Sequence, residues 1–196
     1  MKKLISLTLI SAAIAGCATT LTGRNQLMIV SPNSAIVESE KAYASTVGEL
    51  DSNKQLITDK AWVNRISNIT GRLVTEAIKL QPETKDWKWS VAIIDDPNTL
   101  NAWCMAGGRM AIYTGIVTQL NLTDDEIAQI MGHEISHALA NHTAERMSRA
   151  VLMNAGMTAA AAVTDSNGMI LSGTAMAAKV ALELPNSRTA ESEADR

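Results

Sequence analysis

The sequence has no phenylalanine, two tyrosines and four tryptophans among its 196 residues. A core of stacked rings is therefore excluded, and aliphatic side chains with the ten methionines must fill the interior. Two cysteines are too few for a disulfide scaffold, and three histidines leave room for metal chemistry only if they cluster. There is no excess of positive charge: 17 Lys+Arg stand against 20 Asp+Glu, for a formal net charge of −3. That removes the general electrostatic case for nucleic acid. What is present, 46% hydrophobic and 19% charged residues, excludes a wholly disordered or a collagen-like chain. The length fits one domain, or one domain with a tether.

The chain begins with a short basic stretch, Met1-Lys2-Lys3, and an apolar run from Leu4 to Ala15. The run is too short for a transmembrane helix and has the pattern of a signal peptide. Ile14-Ala15-Gly16-Cys17 resembles a bacterial lipobox, which implies a signal peptide over residues 1–16, cleavage before Cys17 and a lipid on its thiol. Cys104 is then left without a partner; a Cys17–Cys104 disulfide is the competing reading. Ala18 stands where inner-membrane retention usually requires Asp. By resemblance to Gram-negative lipoproteins this implies the outer membrane, facing the periplasm.

Residues 17–33 lack apolar periodicity and read as a tether, with the folded domain expected over 34–196. A short helix is expected from Ser34, carrying Ile36, Val37, Tyr43 and Val47 and ending near Gly48. Asp59 is placed to cap a longer helix in which Trp62, Ile66, Ile69 and Leu73 form one stripe. Trp87 to Ile94 alternates as a strand does, with Trp89, Val91 and Ile93 on one face. After a turn at Asp95-Asp96-Pro97-Asn98, segments 101–105 and 109–114 read as two strands joined at Gly107-Gly108. Ala150 to Ala178 is almost uncharged and rich in Ala, Gly and Met, with a break at Asp165-Ser166-Asn167-Gly168. Neither half has the length of a membrane span. A packed helical hairpin is the plainest reading; a flap or a membrane-touching patch is the alternative.

Thr123-Asp124-Asp125-Glu126 is a capping box, and the helix it opens contains His133-Glu134-Ile135-Ser136-His137. Residues four apart on a helix share a face, so both imidazoles can reach one Zn²⁺ at about 2.0–2.1 Å. Glu134, beside the first histidine, can take a proton from water at the metal and pass it to a leaving amine.

A zinc site of this kind needs a third protein ligand and an open position. On a continuous helix His142 lies ~900° beyond His133 and points the opposite way, while Glu145 sits about 12 Å along the axis from His137. The metzincin pattern would place Gly at position 140 and His at position 143, where this chain has Ala140 and Thr143. The ligand must come from elsewhere, and Glu191-Ser192-Glu193-Ala194-Asp195 offers it. Glu191 and Asp195 share a helical face, one carboxylate for zinc and the other to hold a ligand imidazole from behind. Glu193 points about 200° away from Glu191.

HExxH with a downstream ExxxD is the gluzincin pattern. Together with Asn101-Ala102-Trp103-Cys104-Met105-Ala106-Gly107-Gly108-Arg109-Met110-Ala111-Ile112-Tyr113-Thr114-Gly115, it resembles the HtpX/LoiP/BepA-type branch of the CaaX-prenyl-protease metalloendopeptidases, in a lipoprotein form. The resemblance runs from about Trp62 to Arg196. It implies a zincin-type α+β domain, mainly helical, with a small antiparallel sheet or hairpin beside the HExxH helix and a second, ExxxD helix. It implies one Zn²⁺ on His133, His137 and Glu191, Glu134 as general base, and Asp195 behind a zinc ligand. It also implies substrate pairing with an edge strand, for which Asn101, Ala102 and Trp103 are the candidates; a purely structural role for that strand is the alternative. Many relatives carry Pro before the two glycines, where this chain has Ala106. No oxyanion donor stands out beyond Tyr113 and Arg188. Relatives commonly continue past the ExxxD helix, so the sequence reads as part of a longer protein.

Three functions follow as expectations. The first is a lipid-anchored zinc endopeptidase of the cell envelope acting on misfolded or unassembled envelope proteins. The second is a non-catalytic chaperone or assembly factor with a structural or vestigial zinc site. The third, a transmembrane protease, requires Ala150–Ala178 to span a bilayer.

Overall fold

The computed structural model describes residues 17–164 and 186–196. The N-terminal address sequence, the break at residues 165–168 and the rest of the small-residue stretch to Ala178 lie outside them.

Strands β1 (Cys17–Thr19) and β2 (Asn25–Leu27) form an antiparallel hairpin in the segment read as a tether. The hairpin is held by polar contacts, which leave no hydrophobic periodicity in the sequence. Gln26 is buried and donates to the Ala140 carbonyl at 2.7 Å. Arg24 grips Glu145 with two parallel bonds of 3.0 and 2.7 Å. The chain then runs on with Val30 N–H donating to Ser148 Oγ.

Helix α1 (Pro32–Ser52) starts at the Ser31 cap and runs past Gly48, where a break was expected. An exposed glycine costs a helix about 1 kcal/mol, and Val47 and Leu50 still have the sheet to pack against. Helix α2 (Lys60–Leu80) begins at Asp59, whose Oδ1 accepts from Ala61 and Trp62 N–H. Its stripe packs as the spacing requires: Ile66 and Ile69 are buried, with Trp62 and Leu73 partly so.

A 3-10 turn over Pro82–Asp86 shortens the following strand, β3 (Ser90–Ile94), relative to the alternating pattern. β4 (Ala102–Met105) and β5 (Arg109–Tyr113) make the antiparallel hairpin. Gly107 and Gly108 turn it at φ +82° and +80°, angles that L side chains rarely adopt. The sheet order is β3-β5-β4, with β3 parallel to β5, a pairing the expected antiparallel hairpin did not include. The outer edge of β3 is covered through Ile57 N–H to the Ile93 carbonyl and a bridge between Leu56 and Ile94. No strand pairs with the outer edge of β4 among the described residues.

Short helix α3 (Thr114–Gln119) leads to α4 (Asp124–Leu139), which starts on the expected capping box. α4 lays Ile127, Met131 and Ile135 into the core shared with α2 and the sheet. The chain breaks at Ala140-Asn141, with Asn141 at φ +56°, and restarts as α5 (His142–Thr164). α6 (Arg188–Ala194), capped by Ser187, packs back on α4. The architecture is α+β and mainly helical. Among the described residues no helix is long and apolar enough to cross a membrane.

Candidate metal centre

The site forms where α6 meets the C-terminal half of α4. Helical spacing brings His133 and His137 together, their Nε2 atoms 3.0 Å apart. α6 adds Glu191, whose carboxylate oxygens lie 3.3 Å from His133 Nε2 and 3.6 Å from His137 Nε2. One donor atom from each of the three lies within 4.8 Å of the others, a grouping that could hold one metal ion. Two imidazoles and a carboxylate form a donor set suited to Zn²⁺, with room for a further ligand.

The far nitrogens of both rings are occupied. His133 Nδ1 is 2.8 Å from Asp195 Oδ1, so the two carboxylates four apart on α6 meet opposite sides of one imidazole. His137 Nδ1 is 2.7 Å from His142 Nδ1, and His142 Nε2 is 3.0 Å from Glu193 Oε2. His142 was expected to point away, because a continuous helix was assumed. The break at Asn141 ends α4 and swings His142 under His137 instead. Asn tolerates positive φ, so its position after Leu139-Ala140 was the local signal for this turn. Glu193 does point away from Glu191, into the interior, where it meets His142, Arg24 and Thr22. Glu145 is buried and tied to Arg24, Gln26 and Arg149 rather than to the metal cluster.

Glu134 is half-buried, and burial pushes its carboxyl up to about 7, with His133 drawing it down, Glu191 pushing it up and Arg146 drawing it down. A base poised there can both take and return a proton near neutral pH. Arg146, one turn into α5, was missed in the sequence; its guanidinium donates to Asn186 Oδ1 at 2.7 Å and to Thr143 Oγ1 at 3.3 Å. Asn186 in turn places Nδ2 3.3 Å from His137 Nε2. Burial lowers the His137 imidazole to about 4, helped by His142, and also lowers His142. Both rings are therefore neutral at pH 7, the form a metal requires. Cys104 is a free, buried thiol, raised by burial and by the Glu134 charge, and so unreactive.

Among the expected substrate residues, Asn101 accepts from Tyr113 N–H at 3.1 Å, and Ala102 is buried. Trp103 packs edge-on against Tyr43, with ring centroids 6.0 Å apart. Tyr113 belongs to the same cluster of packed side chains.

The sequence is 32% identical to the mitochondrial metalloendopeptidase OMA1 of Saccharomyces cerevisiae, over 67% of this chain and 38% of that protein. It is 27% identical to the metalloprotease YcaL of Escherichia coli, over 93% of this chain and 74% of that protein. It is 25% identical to a putative beta-barrel assembly-enhancing protease of Vibrio cholerae, over 85% of this chain and 35% of that protein. The alignment with OMA1 of Bos taurus likewise spans only 34% of that relative's length. The model of peptidase family M48 matches residues 62–196, from the first buried stripe of α2 to the carboxylates of α6, and this chain belongs to that family.

Proposed function

We propose that this chain carries the peptidase domain of a zinc-dependent metalloendopeptidase, lipid-anchored in a bacterial cell envelope. The observation that carries the reading is the convergence of His133, His137 and Glu191 beside the raised carboxyl of Glu134. In this reading the two histidines bind through Nε2 and Glu191 through a carboxylate oxygen. Bound there, Zn²⁺ would supply Lewis-acid polarisation to the scissile carbonyl and to a water.

The remaining work falls to the chain's own groups. Glu134 accepts the proton of the attacking water and returns it to the leaving amine. Asp195 fixes the His133 ring from behind. An extended substrate adds to the sheet along the outer edge of β4. Asn101 gives its carbonyl to Tyr113, so by strand alternation Trp103 also faces β5 while Ala102 and Cys104 turn their main-chain groups outward. Trp103 contributes through packing rather than by touching the peptide.

Misfolded or unassembled envelope proteins are the proposed substrates. The name of the putative beta-barrel assembly-enhancing protease supports that class, while that of the metalloprotease YcaL supports protein substrates in general. The lipobox-like sequence ending at Cys17 supports a lipid anchor, with the outer membrane facing the periplasm as its proposed place. Incubation of the purified protein with unfolded casein tests the activity, and cleavage that survives both a chelator and Glu134→Gln would sink it. Membrane fractionation of Cys17→Ser tests the anchor: release into the soluble fraction is expected.

A further inference from the structure

His142 is fully buried at 1% exposure and touches no solvent, yet both of its ring nitrogens have partners. One partner is the carboxylate of Glu193, itself buried. An ionised carboxylate only accepts hydrogen bonds, so His142 Nε2 must carry the proton in this contact. A neutral imidazole has one N–H, which leaves His142 Nδ1 as a bare lone pair. That lone pair lies 2.7 Å from His137 Nδ1, a distance that requires a proton between them. The proton must therefore sit on His137 Nδ1, and His137 Nε2 is left bare towards His133 Nε2, 3.0 Å away, and Glu191, a cluster of lone pairs that a shared cation, rather than a proton, would satisfy.

We propose that His142 and Glu193 are positioning residues that hold His137 in its metal-binding tautomer, and that Arg24 of the N-terminal hairpin fixes the carboxylate at the end of this chain. The inference rests on the proposed role of His137 as a metal ligand. Arg24 has the geometry to fix that carboxylate, since its Nε donates to Glu193 Oε2 at 2.6 Å while its other two nitrogens are committed to Glu145. Thr22, in the same hairpin turn, donates to the second oxygen of Glu193. With both oxygens held by donors, Glu193 stays a carboxylate and an acceptor. Replacing it with Leu removes the acceptor that holds the proton on His142 Nε2; Gln would keep one, its oxygen facing Arg24 and its amide nitrogen facing the Thr22 hydroxyl. The protons of the chain are then free to reverse: with His142 donating from Nδ1, His137 carries its proton on Nε2, and that nitrogen can no longer bind a metal. The hairpin next to Cys17 is thus joined to the metal cluster through three consecutive side chains.

Two measurements test this. Nitrogen-15 spectra of the histidine rings in the zinc-free protein should show His137 protonated on Nδ1 and His142 on Nε2; the opposite pattern overturns the inference without any variant. Zinc affinity, measured by competition with a chromophoric chelator, should fall about 10–100-fold in Glu193→Leu and His142→Phe. Arg24→Ala should show a smaller loss in the same direction. Thermal unfolding of the zinc-free variants reports their folding separately, and a role confined to packing would lower that Tm while leaving zinc affinity intact. Wild-type protein that takes up no zinc overturns the metal-site reading and this inference together. Wild-type protein that binds zinc no better than Glu193→Leu and His142→Phe overturns this inference alone.

Discussion

Nδ1 of His133 lies 2.8 Å from Oδ1 of Asp195, on the ring edge opposite the nitrogen that faces Glu191. The contact fixes the tautomer: a carboxylate accepts only, so His133 carries its proton on Nδ1 and leaves Nε2 bare. Asp195 is the C-cap of α6, with its side chain 69% exposed, so solvent competes for it. Asp195→Ala is expected to weaken zinc binding by about tenfold, the low end for such partners. Chelator competition checks it; unchanged affinity would remove Asp195 from the site.

Glu134 offers the sharpest separation of chemistry from binding. It is adjacent to His133 but is not one of the three clustered donors. Glu134→Gln is expected to keep full zinc stoichiometry and to lose about 10²–10⁴ in turnover, the range typical of a lost general base. Zinc content by atomic absorption, read beside casein cleavage, checks both halves. A variant that loses its zinc would instead make Glu134 part of the metal's support.

The parts of this molecule that were legible in the sequence are those fixed by local spacing. The capping box at Thr123 and Glu126, the stripe from Trp62 to Leu73 and the glycine turn between β4 and β5 each lie within about three turns of chain. The grouping of His133 with His137 is of the same kind. Glu191 and Asp195 needed a second motif and a resemblance to bring them to the same place. What was not legible depends on contacts between distant segments. The parallel register of β3 on β5 leaves no mark in either strand alone. The hairpin over residues 17–27 is secured by Arg24 and Gln26, single polar residues that no periodicity reveals. His142 was misplaced because one residue, Asn141, adopts a positive φ and redirects everything after it.

The same buried groups set an acid limit on the zinc-free fold. Burial and His142 lower the His137 imidazole from 6.5 to about 4. The unfolded chain thus takes up this proton at higher pH than the folded one, and stability falls as pH drops from 6.5 towards 4. Burial alone would raise Glu193, but hydrogen bonds from Thr20, Thr22, His142 and Arg24 bring it from 4.5 to about 2. Its contribution is complete above 4.5 and is lost as pH falls through 2. The Glu134 carboxyl, raised to about 7, gains stability over the same range and offsets the His137 loss. It is therefore the urea midpoint of zinc-free Glu134→Gln protein that should decline from pH 6.5 and again below 4.5. Adding Glu193→Gln should shrink the lower step, which lowered carboxylates such as Glu145 share. A midpoint of Glu134→Gln protein that stays flat from pH 7 to pH 3 would contradict both assignments.

At Gly108 the hairpin turn and the packing of Trp89 make separate demands. The residue has φ +80°, and an added Cβ would lie 2.5 Å from the Trp89 ring. That ring cannot easily retreat, because its Nε1 donates to the Thr84 carbonyl at 2.9 Å. Gly108→Ala is expected to cost about 1–3 kcal/mol from the backbone alone, with the ring contact adding to it. Thermal unfolding measures the loss. The double variant with Trp89→Leu should recover the packing part and leave the backbone part; full recovery would show that φ at this position carries no strain.

The outer edge of β4, with which no strand pairs among the described residues, makes the proposed substrate contact testable without touching the metal. With the Asn101 carbonyl bonded to Tyr113, the next residue turns its N–H and C=O to the outer edge. That residue is Ala102, whose side chain is buried, so the backbone is what it can offer a peptide. Proline is tolerated on an edge strand where its missing N–H faces outward, and Ala102→Pro removes that one donor. A hydrogen bond of this kind is worth about 0.5–1.5 kcal/mol, so KM for an extended peptide should rise by up to about tenfold. Turnover at saturation and zinc affinity should hold near wild-type values. Ala102→Gly keeps the N–H while deleting the side chain, and separates the donor from the packing. If the glycine variant raises KM as much as the proline variant, the strand acts through its packing on α4. If neither raises it, substrate binds elsewhere.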